Sequence, residues 1–286
     1  SRFRPACPSL ASPSFGADRI GRRTREQYVG GVSDPGHEVT AADHDLALRL
    51  AVETGELLLA IRHELAAAGP FELGAVADQE ANRYLLDALA RERPQDPVLS
   101  EEEAEDPGAT ARRLSSRRAW IIDPLDGTRE YSTPPRPDWA VHVALAFDGA
   151  PVVGAVALPA LGTAFSTATP PPPPPHHDGP MRIVVSRNRP PARARFLARQ
   201  LQAELIGLGS AGAKAMAVVR GDADVYLHDG GQNEWDSCAP VAVALSAGLW
   251  CSRLDGSPLR YNRADPWLLD LVIGRPELAE AVIADR

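Results

Sequence analysis

The sequence predicts an α/β chain in two halves, a hairpin-rich αβ half followed by a smaller half in which strands and helices alternate. Three observations carry this. The chain has 286 residues, 44% of them hydrophobic, enough for one large or two medium domains with a buried core. Strand-like segments at 140–147, 152–158 and 163–167 follow one another closely, and Asp148-Gly149 supplies a hairpin turn between the first two. Beyond residue 181 the pattern becomes strand, helix, strand, helix, as in α/β folds.

The elements follow in order. Residues 1–40 are rich in Ser, Pro, Gly and Arg without apolar periodicity, which predicts a poorly ordered extension. A helix is expected over about 43–68, with Leu46, Leu50, Leu57 and Ile61 at helical spacing, ended by Gly69-Pro70. A second helix is expected to follow Asp78, with Ala81, Leu85, Leu86 and Leu89 on one face, and to stop before Pro94. Val98-Leu99-Ser100 suggests a short strand running into Glu101-Glu102-Glu103. Residues 104–118 are polar and predict a loop, and 119–122 predict a strand. Pro170 to Pro175 and the following His176-His177-Asp178-Gly179 predict a low-complexity loop, the His pair being a solvated tip rather than a metal site. In the second half, strands are expected at 182–186, 205–208, 223–228 and 249–252, and helices at 192–202, 211–220 and 236–247. The expected organisation is an extension at 1–40, an αβ domain at 41–180 and an α/β domain at 181–286.

Composition narrows the function classes. Net charge is −8, from 30 basic and 38 acidic residues, with no long Lys/Arg run and no RNA-binding aromatic motif. That argues against a nucleic-acid partner. Small anionic substrates remain open, because bound metals reverse the local sign. Cys7, Cys238 and Cys251 form no disulfide framework and no paired metal motif, which suits reduced thiols in a cytoplasmic protein. Apolar stretches such as 152–161 are too short to span a bilayer, and the N-terminus lacks a signal-peptide pattern, so no membrane partner is expected. Lys214 is the only lysine, a bias too weak to carry a role alone.

The chemistry centres on Trp120-Ile121-Ile122-Asp123-Pro124-Leu125-Asp126-Gly127-Thr128. Pro124 holds Asp123 extended, so the strand is expected to end in a rigid turn that lets Asp123 and Asp126 converge. Gly127 allows close backbone approach to a ligand, and Thr128 can start a helix whose N–H groups face an anion. Carboxylates, a carbonyl and phosphate oxygens are what Mg²⁺ prefers. An ordinary Asp-Pro turn with solvated acids accounts for these residues equally well in isolation. Likewise Glu101 to Glu103 reads as a solvated charge run, and Asp236, in Asn233-Glu234-Trp235-Asp236-Ser237-Cys238-Ala239-Pro240, as a helix cap.

Taken in order, Asp78, Glu101-Glu102, Asp123-Pro124-Leu125-Asp126-Gly127-Thr128 and Trp235-Asp236-Ser237-Cys238-Ala239-Pro240 resemble the inositol monophosphatase-like superfamily of magnesium-dependent, lithium-sensitive phosphatases. The resemblance runs from about residue 43 to the C-terminus. It implies a layered αβαβα sandwich of the sugar-phosphatase type. It also implies that Glu101, Asp123, the Leu125 carbonyl, Asp126 and Asp236 ligate two or three Mg²⁺ ions. Gly127 and Thr128 would hold the scissile phosphate through backbone N–H groups. Asp78, paired with the Thr128 hydroxyl, would help take a proton from the attacking water, with Glu102 supporting the ligands from behind. Thr40-Ala41-Ala42-Asp43 resembles the same acid-bearing element of the family, but Asp43 precedes the first helix, so Asp78 is preferred.

Three further stretches resemble the CysQ and bisphosphate 3′-nucleotidase branch: Asp126-Gly127-Thr128-Arg129-Glu130-Tyr131, Gly209-Ser210-Ala211-Gly212-Ala213-Lys214 and Pro258-Leu259-Arg260-Tyr261-Asn262. They imply Ser210 and Lys214 as substrate contacts, with Lys214 near the phosphate that is not cleaved, unless it is a helix-surface lysine. Arg187 and Arg189 follow a strand end and are further candidates for phosphate, and Cys238 is expected to pack rather than react. The implied activity is removal of the 3′-phosphate of 3′-phosphoadenosine 5′-phosphate or its sulfated relative, in sulfur assimilation. The same chemistry on inositol 1-phosphate or fructose 1,6-bisphosphate, or on all of these, is the alternative. A non-catalytic nucleotide or metal sensor is the remaining class. Relatives of this type are commonly homodimers.

Overall fold

The structure is a computed structural model, and it describes residues 38–67, 69–103, 106–176 and 178–284. The expected extension at 1–40 lies almost wholly outside the described residues, as do Cys7 and His177.

Two helices open the fold. Helix α1 spans Ala41–Glu64 and α2 spans Pro70–Glu92. Asp43 and Thr40 form a capping box at the start of α1. The first helix stops at Glu64, short of the expected end at Gly69-Pro70, and Pro70 instead begins the second, at a position where its missing N–H costs nothing. Asp78 therefore lies inside α2, which corrects the expectation that the helix starts after it.

The first sheet comprises β1 (Val98–Ser100), β2 (Arg118–Asp126), β3 (Ala140–Phe147), β4 (Ala150–Leu158) and β5 (Thr163–Ser166), in that spatial order. β1 runs parallel to β2 and the rest form an antiparallel meander. Segment 107–115, expected as loop, is helix α3 (Pro107–Ser115), capped by Asp106. β2 does not stop at Asp123. It continues through Pro124 to Asp126, with a register irregularity between Asp123 and Asp126 where the ladder with β3 is interrupted. A four-residue helix, α4 (Thr128–Tyr131), follows.

The second sheet contains β6 (Arg182–Ser186), β7 (Glu204–Leu208), β8 (Val225–Asn233), β9 (Trp250–Ser252) and β10 (Trp267–Gly274), in the order β7-β6-β8-β10-β9. Its helices are α5 (Ala192–Gln200), α6 (Ala211–Arg220), α7 (Glu234–Ser246) and α8 (Pro276–Ala284). β6 pairs in parallel with β7 and β8, whereas β10 runs antiparallel to β8 and β9. β10 and α8 lie beyond the last segment assigned from sequence.

Side-chain alternation sorts the core into three layers. Trp120, Ile122, Val141, Val143 and Leu145 point towards α1 and α2, with Leu50, Leu58 and Leu85. Ile121, Ala144 and Val156 face α6 and α7, which also pack on Tyr226, Leu271 and Ile273 of the second sheet. Ile183, Val185, Val225 and Val272 face outward to α5 and α8. The result is a helix–sheet–helix–sheet–helix sandwich, as the resemblance implied. Because α6 and α7 are buried on both sides, they read as near-continuous apolar runs rather than stripes.

Candidate metal centre

Each acid reaches the centre from a different kind of element. Asp123 and Asp126 stand at the irregular end of β2, both buried. Asp236 is the third residue of α7 and completes a capping box with Asn233, whose N–H donates to Asp236 Oδ2 at 2.7 Å. Carboxylate oxygens of Asp123, Asp126 and Asp236 lie within 4.8 Å of one another. The cap and ligand readings of Asp236 are thus compatible. Glu101 follows β1 at the edge of the cluster, near enough to share a hydrogen bond with Asp123. The donors are all hard oxygens, which fits Mg²⁺ or Ca²⁺ better than a thiophilic metal.

The electrostatics support this fit. Burial, with Asp236, Asp126 and Glu102 nearby, pushes Glu101 up to about 7. Burial and the neighbouring Asp126 push Asp236 up to about 6. Asp123 is raised by burial and by Glu101. Acids crowded this closely resist ionising together unless a cation joins them.

Asp126 is the exception. Burial works against its charge, but His142, Lys214 and the Gly212 N–H outweigh burial and hold its carboxyl below the usual range. Its two oxygens accept the backbone N–H groups of Ala211 at 3.1 Å and Gly212 at 2.6 Å, at the start of α6. Next to these, Gly209 N–H donates to Asp138 Oδ2 at 2.7 Å, and Ser210 N–H to the Asp138 carbonyl at 3.2 Å. Loop 209–212 thereby grips the end of β2 and the start of β3.

Asp78 and Thr128, expected as a pair, do meet. Thr128 Oγ1 lies 3.4 Å from Asp78 Oδ1 and 3.3 Å from the Leu125 carbonyl. Burial and Glu102 push Asp78 up to about 7. Gly127 takes φ +89°, a left-handed conformation that glycine adopts freely, and turns the chain from β2 into α4. A cavity of about 650 Å³ opens against Asp78 and Thr128, with Phe71, Glu102 and Arg129 in its wall.

Other candidates sit differently. Asp43 is buried in ion pairs with Arg93 at 2.8 Å and Arg118 at 3.0 Å, remote from the acids above. Lys214 is not a surface lysine: it is 4% exposed, and its ammonium donates to the carbonyls of Gly209 and of Ser210, the latter at 2.7 Å. Ser210 Oγ caps α6 by accepting Ala213 N–H at 2.8 Å. Arg187 pairs with Asp138 at 2.8 Å, and Arg189 is exposed. Cys238 is fully buried in the central core, a packing position. His176 lies beside Asp178, both exposed.

One residue beside the acids was not anticipated. His142 is fully buried in the middle of β3, with Nδ1 3.0 Å from the Trp235 carbonyl and Nε2 3.2 Å from Asp126 Oδ2. Burial alone would lower its pKa, but Asp126 and the Trp235 carbonyl raise it. The available signal was a lone histidine in an otherwise apolar strand.

A family model, the inositol monophosphatase family, matches residues 37–172 and 175–286. The chain belongs to this family. A relative from Mycobacterium bovis, called 3′-phosphoadenosine 5′-phosphate phosphatase, is 50% identical over 239 residues, covering 81% of this chain and 88% of that protein. The 3′(2′),5′-bisphosphate nucleotidase CysQ of Escherichia coli is 31% identical over 203 residues, covering 67% of this chain and 80% of that protein. Among solved structures, CysQ from Bacteroides thetaiotaomicron superposes with a TM-score of 0.67 at 26% identity, over 82% of this chain and 98% of that one. Among the described residues, no helix is long and apolar enough to cross a membrane.

Proposed function

We propose that the chain is a Mg²⁺-dependent phosphatase that removes the 3′-phosphate of 3′-phosphoadenosine 5′-phosphate, giving AMP and phosphate, and that it also accepts the sulfated analogue. The observation that carries the reaction class is the convergence of Asp123, Asp126 and Asp236 beside Gly127-Thr128. The name and 50% identity of the Mycobacterium bovis relative support the substrate.

In this reading Glu101, Asp123, the Leu125 carbonyl, Asp126 and Asp236 hold two or three Mg²⁺ ions. When bound, Mg²⁺ offsets phosphate charge and makes water acidic enough to attack at neutral pH. The residues do the rest. Gly127 and Thr128 present first-turn N–H groups, which a helix start leaves without intrahelical partners, to the scissile phosphate. Thr128 Oγ1 orients the attacking water, and Asp78, pushed up to about 7, takes the proton through it. Lys214 stands where loop 209–212 meets Asp126 and places positive charge near the phosphate that is kept, with Ser210 as a neutral contact beside it.

The test is phosphate release from the bisphosphate with Mg²⁺, by wild type and Asp123→Asn. The reading predicts turnover that Asp123→Asn abolishes while the circular dichroism spectrum stays unchanged. Absence of turnover in wild type with Mg²⁺ would refute it.

A further inference from the structure

Nothing in the reaction scheme above uses His142, yet its placement is tightly specified. The ring lies on β3, in the first sheet, and is fully buried. Nδ1 faces the Trp235 carbonyl at 3.0 Å, and a carbonyl only accepts, so Nδ1 carries a hydrogen and donates it. Trp235 immediately precedes Asp236 in the first turn of α7. On its other side, Nε2 lies 3.2 Å from Asp126 Oδ2, and Nδ1 is 3.9 Å from Asp123 Oδ2. One ring therefore touches two of the three clustered carboxylates and the backbone that delivers the third.

The surroundings are shaped around it. A Cβ on Gly212 would fall 2.2 Å from His142 Nε2, so a side chain at 212 is incompatible with the ring's position. The Gly212 N–H meanwhile binds the same Asp126 oxygen that faces Nε2. Titratable and charged groups that bear on the ring come from β2 (Asp123, Asp126), from α7 (Asp236) and, through Asp126, from α6 (Lys214).

We propose that His142 is a positioning residue that ties Asp126 of β2 to the Trp235–Asp236 start of α7, and so sets the affinity of the metal held among Asp123, Asp126 and Asp236. The inference rests on the reading of that cluster as a metal site. Without the ring, α7 and β2 keep their apolar packing, but the carboxylates lose the link that fixes their spacing. Loss of a group that orients metal ligands weakens metal binding by about 10–100-fold.

The experiment titrates Mn²⁺ into metal-free protein by calorimetry, with no nucleotide present, and measures Tm for the same samples. His142→Leu fills the apolar core and removes the Nδ1 donor together with the ring nitrogen that faces Asp126. It is expected to keep or raise Tm and to weaken one class of Mn²⁺ sites about tenfold or more. His142→Gln places an amide donor at the Nε2 position and is expected to recover affinity to within about threefold of wild type, on the same scale. Gly212→Ala, which displaces the ring without changing it, is expected to weaken the same class. A packing role alone predicts wild-type affinity for His142→Leu, and that result overturns the proposal, as does His142→Gln binding no better than His142→Leu. Wild type that binds no Mn²⁺ overturns the metal reading and this inference with it.

Discussion

Thr128 and Asp78 meet across 50 residues of sequence, the Thr128 hydroxyl lying 3.4 Å from Asp78 Oδ1. Thr128 opens the short helix after the β2 acids, whereas Asp78 comes from within α2, and both line the same cavity. The pair links the Gly127–Thr128 turn to an acid that burial and Glu102 push up to about 7.

Asp78→Asn is expected to cut kcat by roughly 10²–10⁴-fold, the usual worth of a positioned proton acceptor, with KM little changed. Thr128→Val should do the same, and the double variant should lose little more, because the two act as one unit. Initial rates of phosphate release check this. Additive losses would separate the pair.

Asp43 is predicted to behave in the opposite way. It caps α1 and neutralises Arg118 and Arg93 in a buried cluster, and although burial opposes its charge, Arg118, the Thr40 N–H and Arg93 bring it down to about 2. Its contribution is complete above its ordinary 3.8 and is lost as pH falls through about 2. Asp43→Asn is expected to cost about 3 kcal/mol, the low end for breaking a buried pair because Arg118 keeps Asp96, with kcat unchanged. Chemical denaturation and a rate assay on the same sample measure both.

The difference between these two acids shows what was legible in the sequence. The cluster at Asp123, Asp126 and Asp236 was readable because each acid sits in a short contiguous motif that resembles the family's, although each motif alone also reads as an ordinary turn or helix cap. The location of Asp78 within α2 was not, because Pro70 reads as a breaker although it stands at the first helical position. Helix α3 was invisible because it docks without an apolar stripe; its buried residue is Arg113, which bonds Asn262 and the Arg263 carbonyl. His142 was missed because its partners, Asp126 and Trp235, come from remote segments. Periodicity reports which face is apolar, not which polar groups long-range packing brings together.

Metal-free protein should lose stability as pH rises. Glu101, at about 7, and Asp236, at about 6, keep protons that the unfolded chain releases near 4.5 and 3.8. Between about pH 4 and 7 the folded state holds more protons, so these groups lower stability progressively across that window. Mg²⁺ binding takes up the ionised carboxylates and releases those protons. The Mg²⁺-induced rise in Tm is therefore expected to be larger at about pH 8 than at about pH 5.5. Differential scanning calorimetry in chelator and in Mg²⁺ checks it; equal shifts at both pH values would count against a carboxylate metal site.

Lys214→Met tests the proposed substrate contact at the start of α6. The ammonium is buried against the Gly209 and Ser210 carbonyls, and burial pulls its pKa down. If its charge serves the uncleaved phosphate, KM for the bisphosphate should rise about tenfold, consistent with loss of one charge-assisted hydrogen bond. KM for inositol 1-phosphate should then stay near wild type. Equal increases for both substrates would assign Lys214 to loop structure alone.

The most direct measurement is the initial rate of phosphate release at fixed Mg²⁺ from 3′-phosphoadenosine 5′-phosphate, inositol 1-phosphate and fructose 1,6-bisphosphate. The account predicts that the bisphosphate nucleotide has the highest kcat/KM of the three and that removing Mg²⁺ abolishes release from all of them. Release from the nucleotide no faster than from inositol 1-phosphate would contradict the substrate assignment, and release that survives a chelator would contradict the metal centre.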